Sequence, residues 1–318
     1  MAAVPQATPA ASAHHDVLAI RALIAKHKRW DYIFGLIGLL ALMVGVLTFT
    51  ALFADMAIQG IPRLNPDFFT SFPSRRPAQA GILSAWVGST LVMIVTAFFA
   101  VPLGVAAGVY LEEYAAKNWV TDIIEINITN LAGVPSIVYG LLALGLFVYQ
   151  FGFGQSILSA GLTLALLILP VVIVATREAI RSIPQSIREG SYALGATQWQ
   201  TVKDHIVPYS SAGILTGVII GMARAIGETA PVITIGALTF IAFLPPAPVS
   251  AEFPFVNFEW LLSPFSVMPI QMFNWTSRPE AAFHQNAAAA GFVLVIMTLA
   301  MNALAIWLRY RLRKNIKW

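Results

Sequence analysis

A chain of 318 residues that is 58% hydrophobic and only 11% charged, with a mean hydropathy of +0.75, cannot cover itself with a water-soluble surface, since soluble domains carry about 25% charged residues. The formal charge of +4 does not indicate a nucleic-acid binder, because the basic residues sit beside long apolar runs rather than along one stripe. Cysteine is absent, which excludes disulfides, thiolate metal sites and cysteine nucleophiles, and the five histidines show no metal-ligand spacing.

Residues 1–16 are rich in Ala and Pro and contain no Lys or Arg, so they lack the basic start of a signal peptide and predict an unstructured tail. With the basic stretch that follows, residues 1–30 form an N-terminal tail. A membrane domain follows over 31–308, and a short basic tail over 309–318. A hydrocarbon core of about 30 Å needs roughly 20 apolar helical residues. Segments near 31–54, 84–110, 131–150, 157–176, 211–244 and 286–308 meet that requirement. They are continuous Leu/Ile/Val/Ala runs rather than alternating ones, which predicts an all-α polytopic bundle of six spans and not a barrel. Fourteen of the nineteen basic residues fall in segments that share one side with the N-terminus, and four, Arg63, Arg75, Arg76 and Arg278, fall on the other. Basic residues accumulate inside, so both termini are expected in the cytoplasm.

The polar segment 184–208 carries two matches to a helix-capping box, Ser186-Ile187-Arg188-Glu189 and Thr197-Gln198-Trp199-Gln200. Gly195 separates them and Pro208 is expected to stop the second helix. Tyr192, Ala196, Trp199 and Val202 recur at helical spacing, giving an apolar edge that packs under the bundle or meets a partner. In span five, Arg224 lies about 13 residues from Ser211, roughly 20 Å along the helix and near mid-membrane. Glu228 follows one turn later. Ionisable groups at that depth cost about 2.5–3.5 kcal/mol each on insertion scales. Gly213, Gly217, Gly221 and Ala225 form a small-residue ladder on the sector expected to hold both charges, so they are predicted to face protein or a cavity. Pro231 predicts a local break just beyond. The pair reads either as a functional site or as an i,i+4 salt bridge joining two helices.

Glu189-Gly190-Ser191-Tyr192-Ala193-Leu194-Gly195, with Ile206-Val207-Pro208, resembles the EAA loop that permeases of bacterial ABC importers insert into their ATPase. Gly190-Ser191 replaces the usual Ala-Ala. Arg224-Ala225-Ile226-Gly227-Glu228-Thr229-Ala230-Pro231 resembles the same stretch of PstA-type permeases of phosphate-specific ABC importers, and so do Leu131 to Gly140 and Met268 to Trp275. Sulfate and molybdate permeases match only as far as Gly-Glu. The resemblance implies a type I importer permease in the bacterial inner membrane. Its implied partners are a homologous phosphate permease, two ATPase subunits, an extracytoplasmic phosphate-binding protein and membrane lipid, with no nucleic acid. It implies an anion pathway at Arg224, Glu228, Thr229 and Ser136, and ATPase coupling through Glu189, Gly190, Ser191, Gly195 and Trp199. The chain has no Gly-Lys dipeptide and hence no P-loop, so it is expected to be neither an enzyme nor a nucleotide binder, with ATP used by the partner ATPase. Alternatives are a sulfate/molybdate-type permease or a secondary anion transporter. The latter should show internal repeats and has no use for an ATPase-docking loop.

Overall fold

The computed structural model describes residues 9–249, 255 and 257–313, so part of the expected N-terminal tail (1–8) and of the basic C-terminal tail (314–318) lies outside the described residues. The chain divides into two compact units, residues 1–55 and 56–318. The first is built on helix α1, Pro9–Gly60, which continues into the second unit. α1 begins at Pro9, so residues 9–16, expected to be unstructured, are helical: Ala10, Ala11 and Ala13 are strong helix formers leading into an apolar run. Within that run Thr48 and Thr50 donate their hydroxyls to the carbonyls of Val44 and Val46, which removes two polar groups from an apolar helix.

The second unit follows in chain order with α2 (Pro66–Thr70), α3 (Leu83–Val109), α4 (Trp119–Leu131), α5 (Ser136–Ala143) and α6 (Ile157–Arg181). After these come α7 (Gln185–Ala193), α8 (Gln198–Thr201), α9 (Val207–Gly227), α10 (Ala230–Ile235), α11 (Met268–Thr276) and α12 (Ala281–Arg313). Among the described residues five helices are long and apolar enough to cross a membrane, and a bent pair makes up to six. The expected helical bundle is therefore the observed one.

α6 is its centre. In its most apolar stretch 67% of residues are buried, against 39% for α3 and 17% for α12. It is flanked by α3 and α9, with α12 on α9 and α11 on α12. The approach is close because small residues line it. On α9 a side chain at Gly217 would overlap the Ala175 methyl, and a Cβ at Gly213 would lie 2.5 Å from that of Ala179. On α3 a Cβ at Gly108 would lie 2.6 Å from that of Thr176. The ladder read from sequence therefore packs against α6.

Three expectations need correction. The third span, expected over 131–150, is the second half of a bent pair, Trp119–Leu131 and Ser136–Gln150, that turns by 105°. Pro135 lacks an N–H and disfavours helical backbone at Val134, so it ends α4 rather than kinking a continuous helix. The fifth span does not run from 211 to 244. One helical run extends from Gln198 to Gly227, and α10 then closes at Gly236, which is left-handed at φ +98. Pro208 does not stop that run, because a π turn over Val202–Ile206 lies just before it and accommodates the missing donor.

Replacing Gly217 with Leu should force α9 off α6 and lower stability by about 1–3 kcal/mol, the usual cost of overpacking. Gly145→Leu, with open space around the new side chain, should leave stability unchanged. Thermal unfolding of the two purified variants in detergent compares them.

Candidate functional site

Two clusters of polar residues lie at different places in the second unit. The first is at the end of α9. Arg224 occupies its last turn, where a cation complements the negative end of the helix dipole. Glu228 has left the helix (φ −73, ψ 127), and its N–H donates back to Ala225. Arg224 Nε donates to Glu228 Oε1 at 3.2 Å. The salt bridge thus spans a helix terminus, not a helix interior, and Arg224 lies three residues before the end of the run. The two charged side chains differ from the ladder in burial. Gly217 and Gly221 pack on α6, whereas the Arg224 side chain is 39% exposed and Glu228 18%. Arg224 is therefore more open to its surroundings than the ladder beside it.

Glu228 borders a narrow cleft together with Ser89, Met93, Leu164, Val232 and Val267. Ser89 is buried and its Oγ accepts from the Met268 N–H at 2.9 Å, tying α3 to the start of α11. A single serine in an apolar run carries no periodic signal, so sequence reading passed over it. Thr229, half-buried, begins α10 without capping it through its side chain. Ser136, also half-buried, is the first residue of α5. α5 packs on α10, and it does so through Gly140, where a Cβ would lie 2.6 Å from Pro231 Cα and would overlap the Thr234 hydroxyl. Tyr139 Oη donates to the Leu131 carbonyl at 2.8 Å, bracing the α4–α5 bend, and Arg224 is near enough to act electrostatically on that phenol. The two helix breaks, at 132–135 and at 228–229, are therefore neighbours. Arg224, Glu228 and Thr229 come together at the second, and Ser136 lies one turn before the contact between them.

The second cluster surrounds α7 and α8. The capping box at Thr197 and Gln200 forms as expected, with Gln200 Oε1 accepting from Thr197 N at 2.8 Å. The one at Ser186 and Glu189 does not, because α7 starts at Gln185 behind Pro184, which places Ser186 inside the helix. Between α7 and α8 the chain turns through Gly195 at φ +83, a backbone that side chains with a Cβ rarely adopt. Glu189, Gly190, Gly195 and Trp199 are exposed, and Leu194 at the tip is 91% exposed. Ser191 differs from the others. It is buried and its hydroxyl bonds that of Thr201 at 2.8 Å, so it holds α7 on α8 and is not displayed. Trp199 borders an apolar groove with Ala106, Val109, Tyr110 and Tyr114 at the end of α3.

Acidic residues that sequence reading did not single out fix this segment. α3 ends in a π turn, Tyr110–Tyr114, that carries Glu112 and Glu113. Arg188 of α7 binds Glu113 at 2.6 Å, and Arg181 binds Glu112 at 2.9 Å. Arg177, 6% exposed, pairs with Glu112 at 3.5 Å and with Glu125 of α4. Their acidic side chains lie far apart in sequence from their basic partners, and only the fold joins them.

The model of a protein family described as the binding-protein-dependent transport system inner membrane component matches residues 100–318. The chain belongs to that family. It is 33% identical over 287 residues to a probable ABC transporter permease protein, YqgI, of Bacillus subtilis, covering 89% of this chain and 95% of that one. It is 33% identical over 230 residues to the phosphate transport system permease protein PstA of Mycobacterium leprae (72% of this chain, 71% of that one). It is 28% identical over 281 residues to the PstA of Xylella fastidiosa (87% and 92%). The fold is shared with a bacterial alginate ABC transporter (12% identity, TM-score 0.60, 88% of this chain and 94% of that one). It is shared also with the MetNI methionine ABC transporter (15% identity, TM-score 0.55, 71% and 93%). Membership of that family agrees with the helical bundle.

Gly195→Ala should cost about 1–2 kcal/mol by placing a Cβ in left-handed backbone, although nothing surrounds the site to clash with it. Gly190→Ala, in the interior of α7, should not. Hydrogen exchange at the amides of residues 197–201 should speed up in the first variant alone.

Proposed function

We propose that this chain is one of two permease subunits of an ATP-driven phosphate importer in a bacterial inner membrane. The observation that carries the reading is the Arg224–Glu228 pair, set at a helix break and open on one side. Of the guanidinium only Nε is engaged with Glu228, which leaves both Nη groups for a bidentate contact with an oxyanion. The carboxylate beside it can accept from a phosphate oxygen that still carries a proton. A break at this position leaves backbone groups for water or substrate to satisfy, an arrangement expected along a path rather than against lipid. The relatives named for phosphate transport support this choice of anion.

The exposure of Arg224 suits a second, homologous permease facing it across the pathway. The exposed Glu189, Gly190, Leu194 and Gly195 suit a docking contact with an ATPase subunit, one beneath each permease, with ATP bound and hydrolysed there. An extracytoplasmic phosphate-binding protein delivers the anion. The basic-residue distribution supports a cytoplasmic position for α7, α8 and both termini.

Two outcomes test this. In liposomes holding the complete complex, Arg224→Gln alone and with Glu228→Gln should assemble normally yet lose ATP-dependent uptake of phosphate, measured against sulfate. Recovery of uptake in the double variant would make the pair structural, because removing both charges relieves an unpaired buried one. For orientation, the cysteine-free sequence allows single cysteines at the exposed positions Ala193 and Ala78. An impermeant thiol reagent should reach Ala193→Cys only from the cytoplasmic side and Ala78→Cys only from the outer side.

A further inference from the structure

Beyond its chain connections and the Ile187 packing, the exposed docking segment is held to the end of α3 at Glu113. Glu113 lies on the π turn after α3, with its side chain 6% exposed. Arg188 of α7 donates to it through Nη2 at 2.6 Å and through Nε at 3.1 Å, while further Arg188 nitrogens reach the Ile183 and Ile180 carbonyls. Gln198 of α8 donates to the Glu113 carbonyl at 2.5 Å. Both helices of the segment therefore hold the same residue. Its neighbour Glu112 is held by Arg181 and Arg177, and these two reach Glu125 of α4. α4 leads through the 105° bend into α5, and α5 meets α10 at Gly140, just beyond Glu228. The route from the segment to the Arg224–Glu228 pair is a continuous series of contacts. Its charged steps are side chains that are largely withdrawn from water at Glu113, Arg188, Arg177 and Glu112.

An anchor alone does not call for this chemistry. Apolar packing holds a surface helix without the desolvation penalty of burying both partners of an ion pair. A buried pair instead resists gradual stretching: it is made or broken, and its geometry forces the two elements to move as one. We propose that Glu113 is a positioning residue for transport. Through its pair with Arg188 it passes displacement of α7 and α8 to the end of α3, and the adjoining Glu112–Arg177–Glu125 contacts pass it to the α4–α5 limb, which shifts the break at Glu228. The inference rests on the ATP-driven transport proposed above.

The decisive variant is Glu113→Gln with Arg188→Gln, because removing one charge alone leaves the other buried and unpaired. The complete complex is reconstituted in liposomes, and phosphate moved is measured per ATP hydrolysed. The expected result is a complex that retains the ATPase subunit and hydrolyses ATP, with the phosphate-to-ATP ratio reduced by about tenfold, within the range of ordinary intersite coupling. A ratio equal to that of the unsubstituted complex would overturn the inference, and so would loss of the ATPase subunit, which would make the pair an anchor only. Absence of ATP-driven phosphate uptake by the unsubstituted complex would overturn the functional reading itself.

Discussion

Lipid offers no hydrogen-bond partner to a peptide group, and every other feature of the second unit answers to that constraint. Helices satisfy their own backbone but have little hydrophobic reason to associate within lipid, so cohesion must come from contact at short range. Gly213 and Gly217 of α9 and Gly108 of α3 provide it by letting two backbones close on α6. With α6 fixed between them, its charged end, Arg177 and Arg181, is held against the turn that carries Glu112.

The same constraint gives the helix breaks their meaning. Two helices are interrupted, at 132–135 and at 228–229, and each interruption leaves groups that lipid could not satisfy. The fold sets them side by side, with Gly140 giving α5 room to lie against Pro231 and Thr234. Tyr139 returns its hydroxyl to the Leu131 carbonyl and so meets part of the demand within the protein. Arg224 and Glu228 meet their charge demand with each other and keep one face open. That combination of order and incompleteness suits the anion pathway proposed above.

At the far end of α6 the priorities reverse. There the exposed groups, Leu194 above all, are presented by a scaffold whose own polar groups are satisfied: the Ser191–Thr201 hydroxyls, the Thr197–Gln200 cap and the Arg188–Glu113 pair. Ser191 marks the difference between motif and structure. It lies inside a stretch resembling a docking loop, yet it faces inward, because α7 and α8 need a polar contact at their crossing.

The sequence alone determined the bundle, since continuous apolar runs long enough to span lipid read as helices, and it foresaw a break near Pro231, which the structure sets slightly earlier, at 228–229, with Pro231 in the first turn of α10. It also placed Arg224 and Glu228 together, and they pair although Glu228 lies just past the helix end. It set the ladder against a neighbour, since glycines spaced by four share a face. What it could not determine was anything that depends on which helix that neighbour is. The severity of the bend at Pro135, the outward stance of Arg224, the inward stance of Ser191 and the role of Ser89 all follow from packing. The pairing of Glu113 with Arg188 joins residues 75 positions apart, and that of Glu125 with Arg177 joins residues 52 apart. Local pattern carries no trace of such contacts, because periodicity reports only the face of a helix on which a residue lies, and tertiary structure decides what that face meets.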